Sequence, residues 1–337
     1  MFRQRGRARF VNPFNIPFFS GRYGGLMGRR IFLAAALLAC IAISPFSLSM
    51  AAQEMHMGTS TVGGIYYNLG VPITQVLNKY IPEIHVTPEI TIGTVENLRL
   101  IGQGKMEMGV TLSFVAVQAL NGVETFKEKI PVRTIMHLSP LINFFVSLEG
   151  SGIKTHEDLK GKRVNLGQPG GLDRNSTNLL AAYGITPKDI KPSVMGVGAA
   201  VDALKDGKFD AVIVTVPLAN QLLATHKINI IWPDQAHLDK LAKATPGYGK
   251  FLMPAGTLKG VNEDRWVPDF GCTLSVHENM NPDLVYKMTK ALVEHLDELT
   301  AMFSEYRHVT KEWAANPMGV PHHPGAAKYY KEVGLLK

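Results

Sequence analysis

The sequence has few cysteines: Cys40 and Cys272 are the only two in 337 residues. Cys40 lies in an apolar run near the amino terminus, so removal of that run would leave Cys272 alone. A single cysteine excludes an internal disulfide, and Cys272 is expected to be a buried apolar residue. Lipid attachment at Cys40 is an alternative that the preceding Leu38-Ala39 fits poorly. Stability must therefore come from the hydrophobic core.

Long hydrophobic runs are also missing. The longest, residues 31–43, has 13 apolar positions, whereas a membrane-spanning helix needs about 20. Its position after Arg29-Arg30 is typical of a signal peptide, with cleavage expected near Ala51 and a periplasmic location. Either Met27 is the true start, or the arginine pair belongs to a twin-arginine signal.

Acidic residues are absent from the first 52 positions, which contain seven arginines and no lysine. Removing those seven from 35 basic residues leaves 28, which equals the 28 acids of the chain. Nucleic acids and anionic membrane surfaces are bound by clustered basic residues. The formally neutral remainder therefore predicts no nucleic-acid partner.

Catalytic motifs are absent as well. The residues around Ser60 do not form Gly-x-Ser-x-Gly, and those from Gly63 onward do not form Gly-x-Gly-x-x-Gly. The segment GQGKM lacks the spacing and the hydroxyl of a phosphate-binding loop, and His277-Glu278 has no second histidine. His322-His323 has no acid or cysteine nearby. We predict a protein that is not an enzyme, with no cofactor and no metal.

Strand and helix patterns alternate along the remainder of the chain. Apolar residues recur every three or four positions over 65–80, whereas residues 83–91 alternate as in a strand. The predicted helices are 65–80, 95–104, 174–183, the segment VDALKDG and 282–306, and the predicted strands are 83–91, 107–113 and the segment FDAVIVTVP. This order favours the α/β class, with mostly parallel sheets flanked by helices.

An internal repeat divides the chain into two similar halves. GKMEMGV at 104–110 matches GKFDAVI at 207–213, 103 positions later. The pair Gly63-Gly64 matches Gly170-Gly171, and each pair lies between a predicted strand and a predicted helix. We interpret this as two related α/β units, although Gly-Lys turns after helices are common enough for a chance match.

The first glycine pair ends the polar segment GTSTVGG, residues 58–64. Ligands of open parallel sheets bind at the carboxyl ends of strands, where helix amino termini offer unpaired N–H groups and partial positive charge. Glycines allow close approach, and Thr59, Ser60 and Thr61 add hydroxyl groups. The segment predicts a site for a small carboxylate. The alternative is that Ser60 or Thr61 caps the following helix.

Five segments carry a family resemblance: TVGGIYYNLG, TVENLRLIGQGKMEMG, DLKGKRVNLGQPGG, ALKDGKFDAVIVT and PHHPGAAKYYKEVGLL. Together they resemble the TAXI family of TRAP-transporter solute receptors, from about residue 56 to the end. The resemblance implies a type II-like two-lobed periplasmic binding-protein fold with a ligand cleft between the lobes. It also implies that the receptor delivers its ligand to TRAP membrane subunits, expected as one fused multi-span protein. The implied ligand is a small anionic solute such as glutamate, 2-oxoglutarate or another dicarboxylate or keto acid.

The second glycine segment departs from the family pattern, in which Gly-Ser-Gly-Thr precedes an acid. Here it runs Gly170-Gly171-Leu172-Asp173-Arg174. Hydroxyl groups are lost from that wall, and Arg174 is added as a candidate to pair with a carboxylate. An arginine on a solvated helix face is the alternative.

The expected organisation is a leader over 1–51, a first lobe of 52–144 plus 270–337 and a second lobe of 145–269, in a monomer. Either Tyr66 or Tyr67 should face the cleft. Thr94 and Asn97 begin a helix, and Ser113 ends a strand. The candidate ligand-binding residues are Thr59, Ser60, Thr61, Gly63, Gly64, Tyr66, Thr94, Asn97, Ser113, Gly170, Gly171, Arg174 and Thr215. There are two alternative functions. The protein could be a receptor that presents its ligand to a sensor kinase, or an enzyme on the same fold.

Overall fold

The computed structural model contains two five-stranded sheets. It describes residues 52–169 and 171–337. The predicted leader, with Cys40, and the predicted site residue Gly170 lie outside these residues. Within the described chain, no helix has the length and apolar character needed to cross a bilayer.

The first sheet contains strands from both ends of the described chain. Its strands are β1 (Gln53–Gly58), β2 (Ile84–Glu89), β3 (Met108–Leu112), β4 (Val132–Ser139) and β12 (Cys272–His277). The helices connected to it are α1 (Ile65–Tyr80), α2 (Thr94–Gly102), α3 (Ser113–Asn121), α8 (Pro282–Glu294), α9 (Leu296–Met302), α10 (Lys311–Ala314) and α11 (Pro324–Glu332). All five residues of β3 are buried, as expected of a strand covered on both faces.

The second sheet is formed by the middle of the chain. Its strands are β5 (Asn143–Leu148), β6 (Arg163–Asn165), β7 (Lys191–Ser193), β8 (Ala211–Thr215) and β9 (Ile228–Ile231). Its helices are α4 (Leu172–Ala182), α5 (Val197–Lys205), α6 (Val216–Thr225) and α7 (Gln235–Ala244). A separate antiparallel pair, β10 (Gly249–Met253) and β11 (Arg265–Asp269), precedes the return to the first sheet.

The two sheets have the same topology. Their orders are β2-β1-β3-β12-β4 and β7-β6-β8-β5-β9. In each sheet the first three strands are parallel, and the fourth is antiparallel to both of its neighbours. Four strands of each sheet therefore run in one direction, which confirms the predicted α/β class with mostly parallel sheets.

The internal repeat is confirmed in the backbone. Helices α2 and α5 end in turns of the same kind. The Gly104 N–H donates to the Ile101 carbonyl, and the Gly207 N–H donates to the Leu204 carbonyl, both at 3.0 Å. Both glycines have positive φ, +64° and +70°, which favours glycine. Each turn leads into the third strand of its sheet, β3 or β8.

The chain changes sheets at two points. It leaves the first sheet after Ser139 and enters the second at Asn143, and it rejoins the first at Cys272. The expected crossings were near Phe144 and Phe270, and the predicted lobe limits stay a prediction. One apolar cluster includes side chains on both sides of the first crossing, which packs the two lobes together.

The prediction of a single helix over 282–306 is wrong, because the segment bends twice. The helix is interrupted at His295 and at Phe303 and ends in a short 3₁₀ turn, Ser304–His308. The His295 ring stacks on Tyr80 with 3.6 Å between centroids, and the Tyr306 hydroxyl donates to the Leu69 carbonyl at 2.7 Å. A straight 25-residue helix would be about 37 Å long, and the bends keep its apolar side chains on the first lobe.

Folding stability should depend on pH through His156. Its ring is buried between Phe145 and Tyr183, and burial lowers the pKa of His156 to about 3. Below pH 6.5 the unfolded chain binds a proton that the folded chain binds only near pH 3. Stability therefore falls as pH falls through this window, by up to about 1.4 kcal/mol per pH unit.

The variant His156→Phe keeps an aromatic ring and removes the proton-binding group. We expect its free energy of unfolding to decline less than that of the parent between pH 7 and pH 5, measured by urea denaturation. Measurements at pH 8, where His156 is neutral in both states, control for the change in packing. Equal declines in both proteins would contradict this role for His156.

Candidate functional site

Two adjoining cavities lie between the two lobes. The first, here called the polar cavity, has a volume of about 320 Å³ and is lined by Ser60, Thr61, Gly64, Ile65, Tyr66, Ile92, Gly93, Thr94, Leu112, Leu141, Asn143, Gln168, Pro169, Gly171, Leu172, Asn175 and Thr215. The second, the apolar cavity, has a volume of about 530 Å³. Ile65, Leu141, Gln168, Leu172 and Thr215 line both cavities, so the two form one continuous cleft.

Four helices begin at the wall of the polar cavity. The residues at the start of α1, α2, α4 and α6 are Gly64, Gly93, Gly171 and Thr215, and none of them makes a side-chain cap hydrogen bond. Glycine has no side chain with which to cap a helix, which leaves first-turn amides open to a ligand. One first-turn amide of α4 is bonded within the chain, since the Asp173 N–H donates to the Gln168 carbonyl at 3.4 Å. The partial positive charge of several helix amino termini is thus directed at one small volume.

No charged side chain lines the polar cavity among the residues that the structure describes. Its polar groups are hydroxyls and amides, including Ser60, Thr61, Tyr66 and Thr215. Burial raises the pKa of Tyr66 well above its ordinary value, so its hydroxyl is a neutral donor at physiological pH. This arrangement can hold a single anionic group by hydrogen bonds and helix dipoles.

A chain of hydrogen bonds reaches the polar cavity from the second lobe. Asn178 Nδ2 donates to the Tyr248 hydroxyl at 3.1 Å, and that hydroxyl donates to Asn175 Oδ1 at 2.9 Å. Asn175 Nδ2 then donates to Asn143 Oδ1 at 3.3 Å. Burial raises the pKa of Tyr248, which keeps its proton in place. The chain orients the Asn143 amide so that its Nδ2 group, which bonds no described residue, remains a donor.

Comparison with known proteins places the sequence in a family. The profile of the NMT1-like family matches residues 57–334. The chain belongs to the NMT1-like family. Membership in the TAXI group of TRAP receptors stays a prediction.

Solved structures with a similar fold include two with low sequence identity to this NMT1-like chain. A putative periplasmic sulfonate-binding protein SsuA from Methylobacillus flagellatus KT is 17% identical, with a TM-score of 0.53, over 85% of this chain and 88% of that one. PhnD1 from Prochlorococcus marinus MIT 9301, solved with methylphosphonate, is 10% identical, with a TM-score of 0.51, over 83% and 96% of the chains. These similarities confirm the two-lobed periplasmic binding-protein fold.

The structure brings most of the predicted residues to the cleft. Seven of them line the polar cavity: Ser60, Thr61, Gly64, Tyr66, Thr94, Gly171 and Thr215. Gly63, with φ +81°, lines the apolar cavity instead. Tyr67 lies in a separate surface depression, so Tyr66 is the tyrosine at the site. Capping of α1 by Ser60 or Thr61, the alternative, does not occur.

Thr59 and Asn97 do not line the cavity, because they bond the strand ends to one another. The Thr59 hydroxyl donates to the Glu89 carbonyl at 2.7 Å. Asn97 Nδ2 donates to the carbonyls of Thr59 and Val110, both at 2.9 Å. Both side chains are buried and hold the glycine segment in position behind the site.

Ser113 and Arg174 are also absent from the cavity lining. Ser113 is buried at the start of α3, and its hydroxyl bonds no described residue. Arg174 on α4 donates to Gln118 Oε1 at 3.1 Å and to Thr125 Oγ1 at 3.2 Å, so it links the second lobe to the first.

Sequence reasoning missed Asn143, Asn175 and Gln168. Asn143 is a single amide within the apolar run 131–147, at the point where the chain crosses between sheets. Its carboxamide, the only one between residues 131 and 147, was the one available signal. Asn175 is one of several polar residues in the first turns of α4, and the sequence pattern does not distinguish it as a buried one. Gln168 follows a strand of only three residues.

The hydrogen-bond chain predicts a stability effect at Tyr248. The variant Tyr248→Phe removes the hydroxyl and leaves the buried Asn175 Oδ1 without its donor, so we expect unfolding to become easier by about 1–3 kcal/mol. Tyr67→Phe is the matched control, because its hydroxyl bonds no described residue and it lies outside the polar cavity. Urea denaturation of both variants measures the difference. Equal stabilities would show that the chain does not hold Asn175.

Proposed function

We propose that this chain is an exported solute-binding receptor that captures a small carboxylate between its two lobes and delivers it to membrane transporter subunits. The observation that carries the proposal is the polar cavity, where four helix amino termini without side-chain caps converge on a space lined by neutral donors.

The polar cavity favours an anion over a cation or a neutral solute. A buried cation would need carboxylates or aligned carbonyls, and no acidic side chain lines the polar cavity among the described residues. A carboxylate oxygen accepts several hydrogen bonds, and this wall contains hydroxyl and carboxamide groups that can donate them. Binding would also satisfy the first-turn amides, which are costly to bury without partners.

The transporter class is a second part of the proposal. The TAXI resemblance of the sequence favours TRAP membrane subunits as the partner, expected as one fused multi-span protein. The SsuA protein named above is described as part of a sulfonate ABC transporter, so ABC-type membrane subunits are the alternative. Adding the purified receptor to vesicles that contain one or the other type of subunit, and measuring solute uptake, separates them.

Export of the chain is a further part of the proposal. The leader over 1–51 is proposed as a signal peptide that directs the chain to the periplasm, with cleavage near Ala51. Amino-terminal sequencing of the protein recovered from a periplasmic extract tests both points.

A thermal-shift screen tests the ligand class. A ligand that binds only the folded protein raises its melting temperature, so we expect a shift from at least one carboxylate among glutamate, 2-oxoglutarate, succinate and acetate. Methanesulfonate and methylphosphonate are included because SsuA is described as sulfonate-binding and PhnD1 was solved with methylphosphonate. Succinamide and acetamide are the neutral controls. Absence of a shift with every anion, or equal shifts with the amides, would refute an anion site.

Substitution of Asn143 tests where the anion binds. Asn143→Asp keeps the acceptor for Asn175 but places a negative charge in the polar cavity, and we expect Kd for a bound carboxylate to rise at least about 100-fold, or about 3 kcal/mol. Asn121→Asp makes the same charge change outside the cleft and is the matched control. Isothermal titration calorimetry measures both. An unchanged Kd in Asn143→Asp would remove the polar cavity from the proposal.

A further inference from the structure

The apolar cavity adjoins the polar cavity and has a different lining. Apart from the five shared residues, its wall is mostly apolar and includes Val197, Val216, Leu218, Cys272 and Phe303. Its volume, about 530 Å³, is larger than the 320 Å³ of the polar cavity. A carboxylate headgroup bound at the polar cavity would leave this larger space unused.

We propose that the ligand is an amphiphilic monocarboxylate, with its headgroup in the polar cavity and an apolar chain in the apolar cavity. This inference rests on the proposed function and narrows its ligand class. Burial of an apolar chain would remove both its surface and the cavity wall from water.

Two polar side chains of the apolar cavity bond within the protein. The Ser139 hydroxyl donates to the Pro140 carbonyl at 3.3 Å, and Asn68 Nδ2 donates to the Gly63 carbonyl at 3.4 Å. Cys272 is buried behind this wall, and burial raises the pKa of its thiol, so it adds no charge there. The wall therefore provides apolar contact more than hydrogen-bonding groups.

Apolar side chains also line the passage between the cavities. Ile65 and Leu172 are the first residues of α1 and α4, at equivalent positions of the two repeats, and both line both cavities. Ile65 is 37% exposed in the absence of a ligand. A chain that extends from a bound headgroup would cover these two side chains.

Glu305 argues against a second carboxylate on the ligand. It is the one charged residue among the described residues that line the apolar cavity, and it forms no ion pair within the described chain. A dicarboxylate would bring a negative charge toward Glu305 in a space of low polarity. The site should therefore prefer a monocarboxylate to a dicarboxylate of equal length.

Calorimetry with acetate, butyrate, hexanoate and octanoate tests the inference. We expect Kd to fall about fourfold for each methylene that enters the apolar cavity. Adipate has the six carbons of hexanoate and a second carboxylate, and we expect it to bind at least about tenfold more weakly. Glu305→Gln should reduce the difference between adipate and hexanoate.

Filling the cavity provides a second test. Gly198 lines the apolar cavity on α5, and a Cβ there would meet no heavy atom within 4 Å. Gly198→Phe should therefore abolish the dependence of Kd on chain length and leave acetate binding unchanged. Gly196→Phe is the matched control, because that glycine has equal space but does not line the cavity. Val216→Phe offers a second filling variant should Gly198→Phe fold poorly.

The outcomes separate this inference from the proposed function. If acetate binds and Kd is the same for all four acids, the inference is overturned and the anion site stands. If adipate binds as tightly as hexanoate, the monocarboxylate preference is overturned. If no carboxylate binds, the proposed function itself fails, and the inference fails with it.

Discussion

The constraint on which this structure depends is that helices begin at the cleft without side chains to cap them. Gly64, Gly93 and Gly171 precede three of these helices. An unpaired N–H buried away from water costs free energy comparable to a lost hydrogen bond. The chain supplies acceptors for the N–H groups of the three glycines themselves, from Thr61, Thr91 and Asp173, but a ligand can supply acceptors for the amides of the turn that follows. Glycine at these positions weakens the isolated helices and leaves their amides to a ligand.

The sheet topology determines where these helix ends meet. In each sheet the first three strands are parallel, so their carboxyl ends and the helices that follow lie at one edge. The reversed fourth strands, β5 and β12, belong to the segments that follow the two crossings of the chain. The first crossing therefore starts beside the ligand edge of the first sheet and leads to that of the second, whereas the second crossing starts from the separate β10–β11 pair. Asn143 lies at the first crossing, which explains why a residue far in sequence from both glycine pairs reaches the polar cavity.

Sequence patterns predicted the local parts of this arrangement. The order strand, glycine pair, helix is encoded within about 20 residues, and the repeated Gly-Lys turns indicated two related units before their shared topology was visible. The direction of individual side chains could not be predicted in the same way. The Thr59 hydroxyl turns toward Glu89 because of the pairing of β1 with β2, and Arg174 finds its partners 49 and 56 residues away in the chain. Asn175 depends on Tyr248, which is 73 residues away. Such contacts arise from tertiary packing, which a single-sequence pattern does not contain.

A site that derives its positive potential from the backbone differs in kind from one built on arginine or lysine. Peptide dipoles are fixed by the helices that carry them, so they need no side-chain ordering when a ligand arrives. They also supply only partial charges, which suits one carboxylate better than two. Because the dipoles act only near the helix ends, the remainder of the cleft is free to be apolar. On the proposal that the cleft binds an anion without a charged side chain, a polar cavity separate from an apolar cavity is the expected arrangement, since the headgroup and the rest of the ligand require different surroundings.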